Sequence, residues 1–467
     1  MAETLVTRTL VPASTLVVLA TWGVFSFGAV YPWAYWPLFL GASAIGLAGV
    51  AGEQAWRDPR LVSLLVGLGV LALAITLQTV PLPAWLLLEL SPGADTFLRQ
   101  FRVGYQPADL RTLSLDPAAT RVVLAEVVAL SLLLVGAARL LRRWNIARLV
   151  NQLMALALAV ALVGIVQRAL LDPDGMLIYG FWRSRQAGSP FGPFVNRNHF
   201  AGWMVMLLPV VLAYGWALIL DGERRGRQGT GGWVRWVSGV EGNRVFLVWT
   251  CSLIMALSLV MTGSRSGMVA AALGAATFVA FAWRAVAGRA RLALTASVLA
   301  LLLGALAWAG AGAVVSRFGR APQEMLGRLS AWSDTLRIAA DFPLTGTGLG
   351  AYRRAMLLYQ TRERDRLYAQ AHNDYLQLAA EGGALVAVPA GGVLVLLFVA
   401  ARRRLTEPDD DPVTHWVRRG AAAGLLGVAA QSVVEFSLQM PGNAVLCVIL
   451  VALVIHRPRS YPHAHRI

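Results

Sequence analysis

Residues 199–220 read HFAGWMVMLLPVVLAYGWALIL, and after the opening histidine none of the 22 carries a charge. As a helix this run spans about 33 Å at the usual rise per residue, enough to cross a hydrocarbon core of about 30 Å. No water reaches a backbone at that depth, so the run must satisfy its own peptide groups, and the sequence predicts a membrane-spanning helix.

Eleven further runs have the same character, near residues 10–30, 33–51, 61–80, 119–140, 148–171, 245–262, 268–287, 293–313, 383–400, 420–437 and 443–456. The fold class is therefore all-α, a polytopic integral membrane protein with about twelve transmembrane helices. Composition agrees: 57% of the 467 residues are hydrophobic, 14% are charged and the mean hydropathy is +0.60. A soluble domain needs no such series of apolar runs. The N-terminus shows no cleavable signal pattern, and residues 10–30 are long enough to stay as a first span.

The net charge of +16 comes from 41 basic residues, all of them arginine. In a soluble chain this would suggest nucleic acid; here it reports topology, and no nucleic-acid partner is expected. Arginines crowd into alternate short loops: Arg142, Arg143 and Arg148; Arg224, Arg225, Arg227 and Arg235; Arg284, Arg289 and Arg291; Arg402 to Arg404 with Arg418 and Arg419. By the positive-inside rule these loops and both termini are cytoplasmic. Residues 81–118, 172–198, the TGSRSG turn and 314–382 then face outward. Cys251 and Cys447 sit in apolar runs near opposite faces, so they do not report a redox compartment. The chain divides into N-terminal transmembrane helices over 1–171 and a region over 172–467 that includes the long loop 314–382.

The outward loops hold the chemistry-bearing residues. Within 314–382, EMLGRLSAWSDTLRIAADFP places Leu326, Leu329, Trp332 and Leu336 at helical spacing, which predicts an amphipathic helix on the membrane surface. The glycine turn TGTGLG follows, then a charged helix through YQTRERDRLYAQ, then AQAHNDYLQLAAEGG. Of six histidines only His199 and His372 face outward, and His372 is the better candidate base. In a helix starting near it, Tyr375 shares its face while Asn373, Gln377 and Glu381 form a polar stripe. A helix capped by Asn373 or Asp374 and stopped by Gly382 and Gly383 accounts for the same residues without chemistry.

Arginines near span ends come next, because a guanidinium at membrane depth either snorkels or serves a site. Arg168 snorkels. Arg265 sits in a turn too short to wander, flanked by small residues, and its fork suits a bidentate phosphate contact. The stretch SRQAGSPFGPFVNRNHFAGW offers Arg185 and Arg197, Asn196, Asn198 and His199, with a cap and interfacial aromatics as the plain alternative. GTGLG lacks a nucleotide fingerprint and reads as a turn. Asp409 to Asp411 lie in a charged linker, and His372 with Asp374 and Glu381 makes a poor metal site, so no metal or cofactor is expected. Glu126 and Glu435 lie in or at the end of spans without a nameable partner.

FGPFVNRNHFAGW, MTGSRSG, FPLTGTGLGAY, AHNDYLQLAAEGG and EFSLQMPGNAV, in this order, resemble the O-antigen ligase and polymerase family of bacterial membrane glycosyltransferases. The resemblance runs from about Phe181 to the last span. It implies a GT-C-like fold in the inner membrane and a periplasmic active site that moves a glycan from undecaprenyl diphosphate to an acceptor hydroxyl, with inversion and without a metal. It makes His372 the family's histidine and Arg265 its turn arginine. Arg185 is the second arginine, with Arg183 and Arg197 as alternates. The implied partners are a lipid-linked glycan donor, a glycan or lipid A core acceptor and membrane lipids. The motif forms point to a polymerase ahead of a ligase. A lipid-linked-glycan flippase is the rival class, but it would show repeated halves and broken helices near the midplane, and no internal repeat is evident.

Overall fold

Each of the twelve apolar runs overlaps a helix in the computed structural model, which describes residues 14–50, 59–101, 103–104, 106, 110–142, 144–171, 176–183, 189–226, 238–286, 288–309, 321–362, 368–407 and 411–455. Among the described residues there are sixteen helices and no strand beyond isolated bridges. They are α1 (Ser14–Phe25), α2 (Pro32–Val50), α3 (Pro59–Leu77), α4 (Ala84–Leu90), α5 (Pro92–Phe101), α6 (Pro117–Leu141), α7 (Ile146–Val166), α8 (Arg197–Gly226), α9 (Val240–Met261), α10 (Arg265–Ala285), α11 (Arg289–Ala309), α12 (Ala321–Asp341), α13 (Tyr352–Tyr359), α14 (Asp374–Thr406), α15 (Pro412–Gln431) and α16 (Pro441–Ile455). By length and composition seven helices qualify as membrane spans: α3, α6, α7, α8, α9, α10 and α14. Apolar but shorter are α1, α16 and the Ala290–Ala305 part of α11. The chain is a polytopic, all-helical membrane protein.

The run 199–220 becomes the centre of the bundle. In α8, 83% of the apolar window is buried, against 11% in α14, which faces outward over most of its length. The packing of α8 on α15 depends on small residues: a Cβ on Gly424 would lie 2.1 Å from the Met206 carbonyl oxygen. Lipid tails are as apolar as leucine, so close backbone approach of this kind contributes much of the association between spans.

A second core caps one end of the bundle. Leu87, Ala94, Phe97, Leu113 and Leu115 from the loop after α3 pack with Ile338, Phe342, Tyr352, Met356 and Ala380 from the long C-terminal segment. Gln78, just past α3, clamps the two together. Its amide donates to the carbonyls of Thr345 (2.8 Å) and Glu381 (2.9 Å), and its oxygen accepts from Leu349 N (3.1 Å). Leu115 N donates to the Thr347 carbonyl, and the Thr120 hydroxyl to that of Leu349, each at 2.8 Å.

The glycine turn is tight for a physical reason. Gly346 has φ +63, and a Cβ there would lie 2.1 Å from the Glu381 carbonyl oxygen. Gly383 opposite it has φ +54 and ψ −166, and breaks α14 while the helix resumes beyond. Gly346→Ala must both strain the backbone and push the kink away, a cost of about 2 kcal/mol or more. A lower unfolding midpoint in nanodiscs, with insertion unchanged, is the expected result.

Two expectations need correction. The charged helix through YQTRERDRLYAQ ends at Tyr359, and Gln360 is extended with ψ 114. The Asp334 carboxylate takes the Thr361 backbone N–H (3.0 Å) and hydroxyl (2.9 Å), which pins the chain out of helical geometry; residues 363–367 lie outside the described residues. The amphipathic helix exists as α12, and Leu326, Leu329 and Leu336 are exposed as a stripe. Trp332 leaves that stripe, because its indole N–H donates to the Ala371 carbonyl (3.0 Å).

Candidate active site

The site forms where five chain segments meet at the capped end of the bundle. Asn196 starts α8: its side chain accepts from Asn198 N (2.9 Å) and its carbonyl from His199 N (3.1 Å) and Phe200 N (3.3 Å). Phe200 is wedged edge-on between Phe191 and Phe194, with centroids at 4.7 and 5.9 Å. Arg197 and Asn198 therefore emerge on the first turn of a rigid helix.

The TGSRSG turn folds beside it. The Ser264 side chain caps α10 by accepting from Gly267 N (3.2 Å), and the Thr262 hydroxyl accepts from Ser264 N (3.0 Å). Gly267 lies so close to α8 that a Cβ would be 2.5 Å from that of Ala201. This contact sets Arg265 next to Arg197. Both line an open cleft of about 440 Å³ with Asn198, Ser264, Met325, Arg328, Gln431 and Glu435.

Glu435 is the hub. It is wholly buried, in the loop after α15. Its Oε1 accepts from Asn198 Nδ2 (2.7 Å) and from the Arg328 guanidinium of α12. Its Oε2 lies 3.5 Å from His372 Nδ1; neither of those two atoms has a hydrogen-bond partner among the described residues. Burial alone would raise the Glu435 carboxyl, but His372, Arg328 and His199 around it outweigh burial and hold it below the usual carboxylate range.

His372 stands just before α14. Asn373 caps that helix, its side chain accepting from Tyr375 N (3.1 Å) and Leu376 N (3.0 Å). The capping expectation thus holds, whereas His372 and Tyr375 do not share a helix face, because His372 is outside the helix with φ +52. Its neighbours are fixed on both sides: Ala371 N donates to Gln377 Oε1 (2.9 Å), and Asp374 N to the Ser432 carbonyl (2.9 Å). A non-glycine residue held left-handed by such contacts is a mark of a constrained functional position. Phe436 separates the two histidines, edge-on to His199 at 4.7 Å and to His372 at 4.9 Å.

The structure therefore brings Arg265, Arg197 and Asn198 together in the cleft; His372 and His199 do not line it, His372 meeting it through Glu435 and His199 packing on Phe436. Asn196 and Asn373 are caps, and the Tyr375 hydroxyl donates to the Ala429 carbonyl (2.8 Å). Arg183 is exposed and does not line the cleft; Arg185 lies outside the described residues. Sequence reasoning missed Arg328 altogether and left Glu435 without a partner. The signal for Arg328 was its place on the amphipathic helix, one residue before Leu329 of the lipid-type stripe.

Residues 250–391 match the family model described as O-antigen ligase. The matched stretch contains MTGSRSG, FPLTGTGLGAY and AHNDYLQLAAEGG, so the resemblance read from those motifs is borne out. No curated protein matches the chain.

Proposed function

We propose that the chain, with its O-antigen ligase region over residues 250–391, is an inverting, metal-independent glycosyltransferase that moves a glycan from undecaprenyl diphosphate to an acceptor hydroxyl at the periplasmic face of the bacterial inner membrane. One observation carries the reading: Arg197, Arg265 and Arg328 line one cleft, and its buried carboxylate, Glu435, touches His372.

The chemistry follows from these groups. The acceptor oxygen attacks the anomeric carbon, its proton passes to His372, and the bond from that carbon to the diphosphate oxygen breaks with inversion. The leaving diphosphate gains negative charge, which preorganised guanidiniums at the edge of a low-dielectric bundle stabilise. Neutral histidine suits the base role near pH 7. Arg197 takes the place of the second arginine sought in the sequence, and Arg328 adds a third.

Residues 314–382 hold nine arginines against seven carboxylates, and this small positive excess favours an anionic, diphosphate-bearing acceptor, and with it a polymerase. Deleting the gene separates this from the ligase reading. A polymerase mutant retains single repeat units on gels and in mass spectra and loses the long polymer. Full-length polymer accumulating on undecaprenyl diphosphate, absent only from lipid A core, decides for a ligase. Topology has its own test: single cysteines at positions 265 and 372, in a chain lacking Cys251 and Cys447, react with an impermeant thiol reagent from outside. Labelling only after lysis reverses the orientation.

A further inference from the structure

Arg328 belongs to two places at once. Its guanidinium holds Glu435 Oε1, and the same side chain, partly exposed, lines the cleft with Arg197 and Arg265. His372 is on the other carboxylate oxygen at 3.5 Å, too far for a good hydrogen bond. A proton on His372 must therefore share one carboxylate with a guanidinium already seated on it.

We propose that an organic diphosphate bound in the cleft draws Arg328 off Glu435 and so leaves the carboxylate to His372, making the histidine a stronger base only when the donor is in place. The proposal rests on the diphosphate reading above and adds to it an order of events. Arg328 is long, lines the cleft and bonds the carboxylate that touches the base. An anion in the cleft neutralises the guanidinium that now neutralises Glu435, and the freed negative charge acts on His372 at contact range.

Other charged or titratable groups face this pair as well. His199, on α8, is within electrostatic reach of Glu435 and His372, and Asp374, at the start of α14, is within reach of Glu435. Arg197 and Arg265 stand across the cleft. Asn198 stays on Oε1 at 2.7 Å and keeps Glu435 oriented when Arg328 leaves. Coupling of this kind has a chemical use: a base that strengthens only beside a bound donor does not act on an empty site.

The test is the titration of His372 itself, by NMR of ring-labelled histidine in the full chain in nanodiscs, with its resonance identified by its loss in His372→Gln. The probe is geranyl diphosphate, a short prenyl diphosphate, with binding followed by calorimetry. In the wild type the probe raises the His372 pKa by about 1. Arg328→Gln raises it without ligand, and the probe then adds little. Glu435→Gln lowers it and removes the response. An unchanged His372 pKa in ligand-free Arg328→Gln overturns the proposal, as does an equal ligand-induced rise in Glu435→Gln, which would be the direct field of the diphosphate. If the probe does not bind, the diphosphate reading fails, while ligand-free Arg328→Gln still decides the coupling. Should Glu435→Gln not fold, the Arg328→Gln arm stands alone.

Discussion

In His372→Ala, glycan transfer is expected to fall by about 10²–10⁴-fold, the usual contribution of a positioned general base. Arg265→Ala is expected to lose about 10²–10³-fold, the range seen when one donor to a developing oxyanion is removed. Both proteins should insert and unfold like the wild type, because His372 is partly exposed and Arg265 lies on the rim of an open cleft. His372→Asn is the sharper control. Asparagine tolerates the left-handed backbone that His372 adopts at φ +52, so it removes the imidazole without relaxing the strain. Transfer assayed with the native lipid-linked donor is the measurement, repeated in EDTA. Activity in His372→Asn within threefold of wild type defeats the base assignment. Loss in EDTA, restored by a divalent cation, defeats the metal-independent mechanism.

The second large effect is on stability. Glu435→Ala leaves the Asn198 amide and the Arg328 guanidinium without their acceptor, and because Arg328 is partly exposed the cost is that of unsatisfied hydrogen-bonding groups, about 1–3 kcal/mol. Glu435→Gln keeps the shape and part of the hydrogen bonding, so it should cost less. The pH dependence has a definite sign. A carboxyl held below its ordinary value of 4.5 in the folded protein contributes stability that is present above that value and disappears as pH falls through the lower, folded one. Thermal unfolding midpoints of the wild type should therefore drop in that acid range, and Glu435→Gln should flatten that part of the curve. A Glu435→Ala protein as stable as wild type would show that the carboxylate holds nothing together.

The bundle was legible in the sequence because hydrocarbon leaves a backbone only one economical answer, and that constraint acts locally on each run of about 20 residues. The local settings of Arg265 and His372 were legible too, each flanked by residues that fix a turn or a cap. What could not be read was pairing at long range. Arg328 and Glu435 are 107 positions apart, and nothing near either one names the other. Arg328 was hidden among leucines whose periodicity explained the helix without it. Of the three candidates for the second arginine, Arg197 lines the cleft, Arg183 does not, and Arg185 lies outside the described residues. The chain after α13 misled for a different reason: its alternating charges suit a solvated helix, but Asp334, far back in α12, captures Thr361 and ends it.

Gln78 joins the end of α3 to the glycine turn through three hydrogen bonds, and this has a consequence for protein engineering. Any attempt to transplant the acceptor specificity of one ligase or polymerase into another would naturally exchange the long C-terminal loop. In this chain that loop shares its interior with residues from the loop after α3. A graft of residues 314–382 alone would bring half of an interface into contact with a foreign half. The exchangeable cassette is discontinuous: residues 78–120 must travel with it.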